Sequence, residues 1–289
     1  MLLRDHGRYP YAAIEGRPDF SWPGAKRLAV YIALNLEHYA FGEGLRENLV
    51  EGGHEPDVLN YAWLDYGNRV GAWRLKALLE GLGLPVTLLV NAALYDHAPE
   101  LIAAFRRGGH EIACHGRTNS EAQGLLAEPN EAALIAEATA TLTRHEGARP
   151  RGWLGPWLSE SSLTPDLLKE AGYDYLLDWC HDDQPVPLAT RAGPILAVPY
   201  PQEINDSAAI IGRRVSAPDF ATMMIDQFDE MLEQSAGQPL VYAVALHANI
   251  AGQPFRLRAL RRALAHIAAR RDEVWLTTAG GVAAHFAGL

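Results

Sequence analysis

The chain has 289 residues, of which 48% are hydrophobic, and its formal net charge of −10 gives a pI of about 5.5. Such an acidic chain is a poor partner for nucleic acid, because phosphate binding needs a basic face. It contains no uninterrupted apolar run near the roughly 18 residues of a membrane span. Two cysteines, Cys114 and Cys180, cannot form a disulfide framework. No stretch near the first residue has the charged start and apolar run of a signal peptide, so we expect a cytoplasmic protein.

Strand-like and helix-like segments alternate along the chain. Residues 28–36 are apolar nearly throughout, as expected for a strand covered on both faces. Further strands are predicted at residues 85–90, 110–114, 173–177, 195–198, 240–246 and 274–277. Helices are predicted at residues 68–80 and 99–107, and others begin at Asn130, at Thr164-Pro165 and at Ser216.

This alternation predicts an α/β fold with a mostly parallel sheet and helices outside it. The chain shows no break in composition and no low-complexity linker. We therefore expect one domain over residues 1–289, built as a closed or nearly closed barrel. Residues 1–25 contain several prolines and glycines and are expected to form an irregular N-terminal extension.

Polar residues stand where several predicted strands end. Glu37-His38 follows the first strand, His115 follows the strand at 110–114, and His247 follows the strand at 240–246. Asn205 comes after the short strand at 195–198. The carboxyl ends of barrel strands meet at one face, so a carboxylate and two or three histidines are expected in one pocket there. A single histidine would be weak evidence, whereas the set predicts a site.

The order of these motifs resembles the polysaccharide deacetylase superfamily, or NodB-homology domain. Within it, the chain looks closest to the branch of the metal-independent allantoinase analogue and related cyclic imidases. The similar pieces are Trp22-Pro23-Gly24, Asn35-Leu36-Glu37, Asp65 to Gly71, Gly109 to Gly116, Gly152-Trp153, Pro199-Tyr200-Pro201 with Asn205-Asp206, Ala245-Leu246-His247 and Gly252-Gln253-Pro254. The resemblance implies a distorted (β/α) barrel that hydrolyses amide-type C–N bonds other than peptide bonds.

The sequence departs from the metal-dependent members of that superfamily in three places. Glu37-His38 replaces an Asp-Asp pair, Asn119 replaces the second histidine of a His-x-x-x-His pair, and Leu154 stands where relatives commonly have an arginine. An amide oxygen is a poor ligand for zinc. We therefore expect no cofactor. If a divalent metal such as zinc is bound, His38 and His115 would hold it.

Amide hydrolysis needs a base, a stabiliser for the developing oxyanion and an acid for the leaving nitrogen. Glu37 is predicted to be the base, His247 the acid or oxyanion partner, and His115 a residue that positions water or substrate. Arg69 is either a partner for an anionic substrate or part of a structural ion pair, and each tryptophan is either a pocket wall or a packing residue. The candidate substrate-binding residues are His38, Arg69, Asn119, Trp153, Trp157, Trp179 and Asn205.

Three functions remain open from the sequence. The first is an amidohydrolase that acts on a small cyclic imide or ureide. The second is a metal-dependent de-N-acetylase of an amino sugar or glycan, which would need a metal and an open groove. The third is a non-catalytic member that binds a ligand. The expected partner is a small-molecule substrate, with no nucleic acid and no membrane, and we expect a homo-oligomer.

Overall fold

In the computed structural model, which describes residues 5–51 and 54–289, nine strands form one curled sheet. In chain order the strands are β1 (Leu28–Leu36), β2 (Val86–Val90), β3 (Glu111–Cys114), β4 (Gly152–Trp153), β5 (Tyr175–Leu176), β6 (Val186–Leu188), β7 (Ile195–Ala197), β8 (Leu240–His247) and β9 (Trp275–Leu276). They lie in the order β6-β7-β5-β4-β3-β2-β1-β8, and β9 pairs with the beginning of β1. The pairings are parallel, except that β6 runs antiparallel to β7.

Helices follow most of the strands and pack on the outer face of the sheet. They are α1 (Val58–Tyr66), α2 (Ala72–Gly81), α3 (Leu94–His97), α4 (Pro99–Arg107), α5 (Glu128–Glu146), α6 (Thr164–Glu170), α7 (Ala217–Gln234), α8 (Ala248–Ala251), α9 (Pro254–Ala269) and α10 (Ala279–Phe286). A π-helical turn joins α1 to α2. Within the described ranges, none of the helices is long and apolar enough to cross a membrane.

Two helices begin earlier than the sequence analysis expected. The predicted helix at 68–80 is preceded by α1, because the Asp57 side chain accepts a hydrogen bond from the Asn60 N–H at 3.1 Å and so caps a helix there. The helix expected to begin at Asn130 begins at Glu128. Pro129 occupies its first turn, where the missing N–H would have no partner in the helix anyway.

The sheet curls into a barrel that is open along one side. Between β8 and the β6–β7 edge, the described residues form isolated backbone contacts instead of a ladder. Val241 N donates to Asp183 O at 2.9 Å, and Ala245 N donates to Ile204 O at 3.0 Å. The predicted distorted (β/α) barrel is therefore confirmed, as a half-barrel.

Of the predicted N-terminal extension, residues 5–21 form neither helix nor strand, and residues 1–4 lie outside the described residues. The assignment of the whole chain to one domain stays a prediction.

Alternate residues of each strand face the inside of the curled sheet. In β1, Ala29, Tyr31 and Ala33 belong to the inner hydrophobic cluster, whereas Leu34 and Leu36 pack in the cluster between the sheet and the helices. Side chains of a strand alternate between its two faces, so alanines and tyrosines fill the interior and large aliphatic residues meet the helices.

A carboxylate at the amino end of β3 ties several elements together inside this barrel. Glu111 accepts hydrogen bonds from Thr87 Oγ1 at 2.9 Å, from Tyr175 OH at 2.9 Å and from Gly280 N at 3.0 Å. These donors belong to β2, to β5 and to the start of α10. A Cβ at Gly280 would lie 1.9 Å from Glu111 Oε1, so glycine is required there.

We predict that Glu111→Ala lowers the free energy of unfolding by roughly 2–5 kcal/mol, because three donors lose their acceptor and each unpaired buried donor costs about 1–3 kcal/mol. Urea unfolding followed by tryptophan fluorescence measures this. The control is Glu137→Ala, since that side chain is 62% exposed and bound to Arg117 on the surface, and it should change stability by less than about 1 kcal/mol. A loss no larger than that of the control would contradict a structural role for Glu111.

Candidate active site

Three side chains from separate strand ends meet at the mouth of the barrel. Glu37 directly follows β1, His115 directly follows β3, and His247 is the last residue of β8. Glu37 Oε1 lies 3.5 Å from His115 Nε2 and 3.7 Å from His247 Nε2. The structure thus places the predicted base, acid and positioning residue within reach of one small ligand.

Glu37 is held as a carboxylate by donors on both oxygens. Tyr39 OH donates to Oε2 at 2.8 Å, and Asn119 Nδ2 donates to Oε1 at 2.6 Å. Burial by itself would raise the pKa of Glu37, but the charge of His247 and the contacts with His115 and Tyr39 outweigh it, so the pKa is lowered. Glu37 is therefore ionised at neutral pH.

His247 is charged because carboxylates surround it. Asp206, which is fully buried, accepts from the His247 backbone N–H at 3.0 Å and from ring Nδ1 at 2.7 Å. Burial by itself would lower the pKa of His247, but Glu37 and Asp206 together raise it to about 9. The imidazolium keeps its proton at neutral pH, and its Nε2–H is directed toward Glu37.

His115 turns its Nε2 toward the same carboxylate. Its Nδ1 lies 2.8 Å from the carbonyl oxygen of Leu154, and a carbonyl only accepts, so Nδ1 carries a proton. The Nε2 atom is buried and has no hydrogen-bond partner among the described residues.

Asn119 is oriented as a donor toward Glu37. Its Oδ1 accepts from Asn91 Nδ2 at 3.0 Å, which turns its NH2 group toward the carboxylate. A metal ligand must offer a lone pair, so this amide does not do what the second histidine does in metal-dependent relatives. The residues at this mouth therefore do not fit a zinc site. Over the described parts of the chain, no group of three or more His, Cys, Asp or Glu side chains is arranged to hold a metal ion.

His38 lies on the other side of the strand from Glu37. It lines a second, smaller cavity with Tyr61 and Asp65, which Glu37 also borders, and its ring lies 4.4 Å from the ring of His97. Burial, followed by the neighbouring charge of His97, lowers the pKa of His38. His38 and His115 therefore line different cavities, and the structure does not bring them together as the metal pair that the sequence analysis considered.

A cavity of about 160 Å³ opens above Glu37. Among the predicted substrate-binding residues, Asn119, Trp157 and Asn205 line it. Trp157 is 41% exposed, and its indole N–H donates to Asn119 O at 2.9 Å. Asn205 is buried, and its Oδ1 accepts from Ser207 N at 3.1 Å, so it also shapes the loop that carries Asp206.

Three other predicted substrate-binding residues, Arg69, Trp179 and Trp153, lie away from this cavity. The Arg69 side chain is 75% exposed and lies 3.8 Å from Asp65, which is the structural ion pair that the sequence had left as its alternative. Trp179 donates to Glu160 at 2.6 Å and packs against Tyr9 of the N-terminal extension.

Trp153 is also misplaced by the prediction, because it is fully buried between the sheet and the helices. Its ring packs edge-on against Tyr173 with centroids 5.4 Å apart. The next residue, Leu154, belongs to the inner cluster and lines the cavity instead. Alternation along the strand explains the error, since neighbouring residues face opposite sides.

Sequence reasoning did not assign a role to four residues of the site. Asp206 belongs to the Asn205-Asp206 pair of the resemblance, and its buried side chain holds His247. Tyr39 comes two residues after Glu37 and so faces the same side. Tyr200 and Glu47 also line the cavity. From the sequence, the segments that carry them, Pro199-Tyr200-Pro201 and the loop at 41–53, could each serve an interface or a pocket rim.

The chain is similar to known proteins over most of its length. Residues 57–176 match the family model described as polysaccharide deacetylase. That range contains His115 and Asn119, while Glu37 and His247 lie outside it.

Solved structures and a curated relative extend the match along the chain. Puue allantoinase has a TM-score of 0.82 and 28% identity, over 97% of this chain and 98% of that one. A "probable Polysaccharide deacetylase" from Pseudomonas aeruginosa PAO1 has a TM-score of 0.84 and 29% identity, over 96% and 98%. The peptidoglycan deacetylase of Helicobacter pylori is 22% identical, over 73% of this chain and 82% of its own length. The chain is thus similar to the polysaccharide deacetylase family over residues 57–176, and it has the fold of Puue allantoinase.

Proposed function

We propose that the protein hydrolyses a C–N bond, other than a peptide bond, in a small cyclic amide such as a ureide or an imide. The observation that carries this proposal is the environment of Glu37. An ionised carboxylate lies between a charged imidazolium, His247, and a second imidazole, His115, whose Nε2 faces it. A base, an acid and a second imidazole that can orient water are thus available within one cavity.

The base and its neighbour suit a nucleophilic water. Glu37 Oε1 and His115 Nε2 lie 3.5 Å apart, so one water beside them can form hydrogen bonds with both. Glu37 takes a proton from this water while its oxygen attacks the amide carbonyl carbon. Asn119 and Tyr39 keep the carboxylate oriented during the step.

His247 acts on the two groups that change charge next, the carbonyl oxygen and the leaving nitrogen. Its Nε2–H stabilises the oxyanion of the tetrahedral intermediate, and a proton then passes to the leaving nitrogen as the C–N bond breaks. In a cyclic substrate both products remain in one molecule, which gains a carboxylate and an N–H. Asp206 holds the ring in the required tautomer and preserves its charge.

The size of the cavity supports a small substrate. A volume of about 160 Å³ holds roughly five waters at ~30 Å³ each, and it lies below the ~300–1,000 Å³ of sites for larger ligands. A single heterocycle fits this range. Puue allantoinase, which matches nearly the whole chain, is named for its action on allantoin, and this supports a ring amide as well.

One alternative keeps specific support. Two of the relatives described above are named as deacetylases, one of them of peptidoglycan, which favours a de-N-acetylase acting on an amino sugar or glycan. That function would use a bound divalent metal. A substrate screen together with metal removal separates it from the proposed function.

We expect the purified protein to open hydantoin-type rings and allantoin, and to retain most of this activity after dialysis against a chelator. The reason is that Asn119 offers a donor where a metal needs a lone pair. Ring opening is followed by liquid chromatography, and acetate release from N-acetylglucosamine and its oligomers is measured beside it. Zinc-dependent release of acetate with no ring opening would establish the deacetylase instead, whereas ligand binding without turnover would indicate a non-catalytic member.

Substitutions of the acid and the base test the mechanism. Glu37→Gln keeps the shape but removes the base, and His247→Ala removes the proton donor. Each should lower kcat by ~10²–10⁴-fold while the protein stays folded, and the two losses should not multiply fully because both residues serve one transition state. His145→Ala is the control, since His145 is exposed on α5. Full activity of both site variants on a confirmed substrate would remove Glu37 and His247 from the mechanism.

A further inference from the structure

The loop over residues 40–51 crosses the mouth of the barrel and brings Glu47 to the cavity. Its backbone is fixed at both ends. Leu45 N donates to Ser120 O at 2.8 Å, and Leu49 N donates to Asn60 Oδ1 at 2.8 Å. Gly44 has a φ of +76°, and a Cβ there would lie 2.4 Å from Ser120 O, so the close approach requires glycine.

Glu47 is anchored by one of its two carboxylate oxygens. Ser207 Oγ donates to Oε1 at 2.5 Å, and Ser207 directly follows Asp206, the residue that holds His247. Within the described residues, no other hydrogen bond reaches this carboxylate. The remaining oxygen is therefore available to a ligand in the cavity that Glu47 shares with Glu37 and His247.

The charges around this cavity are unequal. Its described lining contains the carboxylates of Glu37 and Glu47, with His247 as the cationic group, and it includes no Lys or Arg. Arg69, the expected partner for an anionic substrate, lies on the surface beside Asp65. Arg256 is half-buried in a separate cavity beyond Asp206. A substrate that carries its own carboxylate would therefore meet two carboxylates and a single cation, His247, which is already paired with Asp206 and Glu37.

We propose that Glu47 determines specificity: its free carboxylate oxygen accepts an N–H of the substrate, and its charge excludes anionic substrates. This rests on the proposed function and narrows its substrate class to uncharged rings that carry an N–H beside the scissile amide, as imides and ureides do. Glu47 does not touch the reacting bond, so it acts on binding.

Burial against the loop is consistent with this role. Desolvation raises the pKa of Glu47, while the neighbouring charge of His247 acts in the opposite direction. A carboxylate that has lost part of its hydration gains more from a ligand N–H than an exposed one does.

The test compares hydantoin with hydantoin-5-acetate, which is the same ring carrying a carboxylate. Wild-type kcat/KM should favour hydantoin strongly, and Glu47→Gln should reduce this preference by about 10-fold or more, because the repulsion between two charges several ångströms apart is lost. For hydantoin, Glu47→Gln should raise KM and leave kcat within a few-fold. An unchanged preference would overturn the proposal.

Two further variants separate the effect of the Glu47 charge from the effect of its hydrogen bond to Ser207. Ser207→Ala keeps the Glu47 charge and removes its hydrogen bond, so KM for hydantoin should rise while the preference against hydantoin-5-acetate persists. Glu203→Gln is the matched control, since this glutamate is 70% exposed and paired with Arg213 on the surface, and it should change neither quantity.

Failure of the proposed function can be distinguished from failure of the role proposed for Glu47. If the wild-type protein hydrolyses neither ring, that function fails, and calorimetry then measures equilibrium binding of the same two rings to wild type and Glu47→Gln. Selective binding of hydantoin that weakens in Glu47→Gln would still support the role of Glu47. Equal binding of both rings, or binding of neither, would overturn it.

Discussion

The site depends on the alternation of side chains along the strands of a narrow barrel. In β1 the residues that share the facing of Ala29 and Ala33 look inward, and Glu37 continues this series just beyond the strand. The same alternation carries His115 inward past β3 and His247 inward at the end of β8. Because the strands are parallel, their carboxyl ends bring these three side chains to one mouth.

That convergence creates an electrostatic problem, which the loops around the mouth solve. A buried carboxylate and a buried imidazole are each costly alone, because burial disfavours their charged forms. Here the two charges stabilise each other, and Asp206, Asn119 and Tyr39 supply the remaining hydrogen bonds. Asn119 thus presents a donor, and not a lone pair, to the site. The charged groups available for the proposed hydrolysis are therefore protein side chains.

The sequence predicted the barrel and the residues that directly follow its strands, because apolar runs and strand ends are local signals. His38 and Trp153 were assigned to the site because the alternation of side chains along a strand was not applied to them, although the sequence itself shows this alternation. The surroundings of Trp179 depend on the N-terminal extension, which folds back so that its Tyr9 packs against the Trp179 ring. Glu47 and Asp206 lie in loops whose positions depend on contacts with residues far away in the sequence, Ser120 and His247. Local sequence patterns therefore could not place Glu47 in the site.

The central claim is that paired carboxylates keep His247 charged beside an ionised Glu37. The most direct measurement is a ¹⁵N NMR titration of the histidine rings, with the His247 signals assigned by their loss in His247→Ala. Since the folded-state pKa is raised, His247 should be doubly protonated at neutral pH and lose its proton only as the pH rises through about 9. Titration of His247 near the ordinary value of ~6.5 would contradict the account.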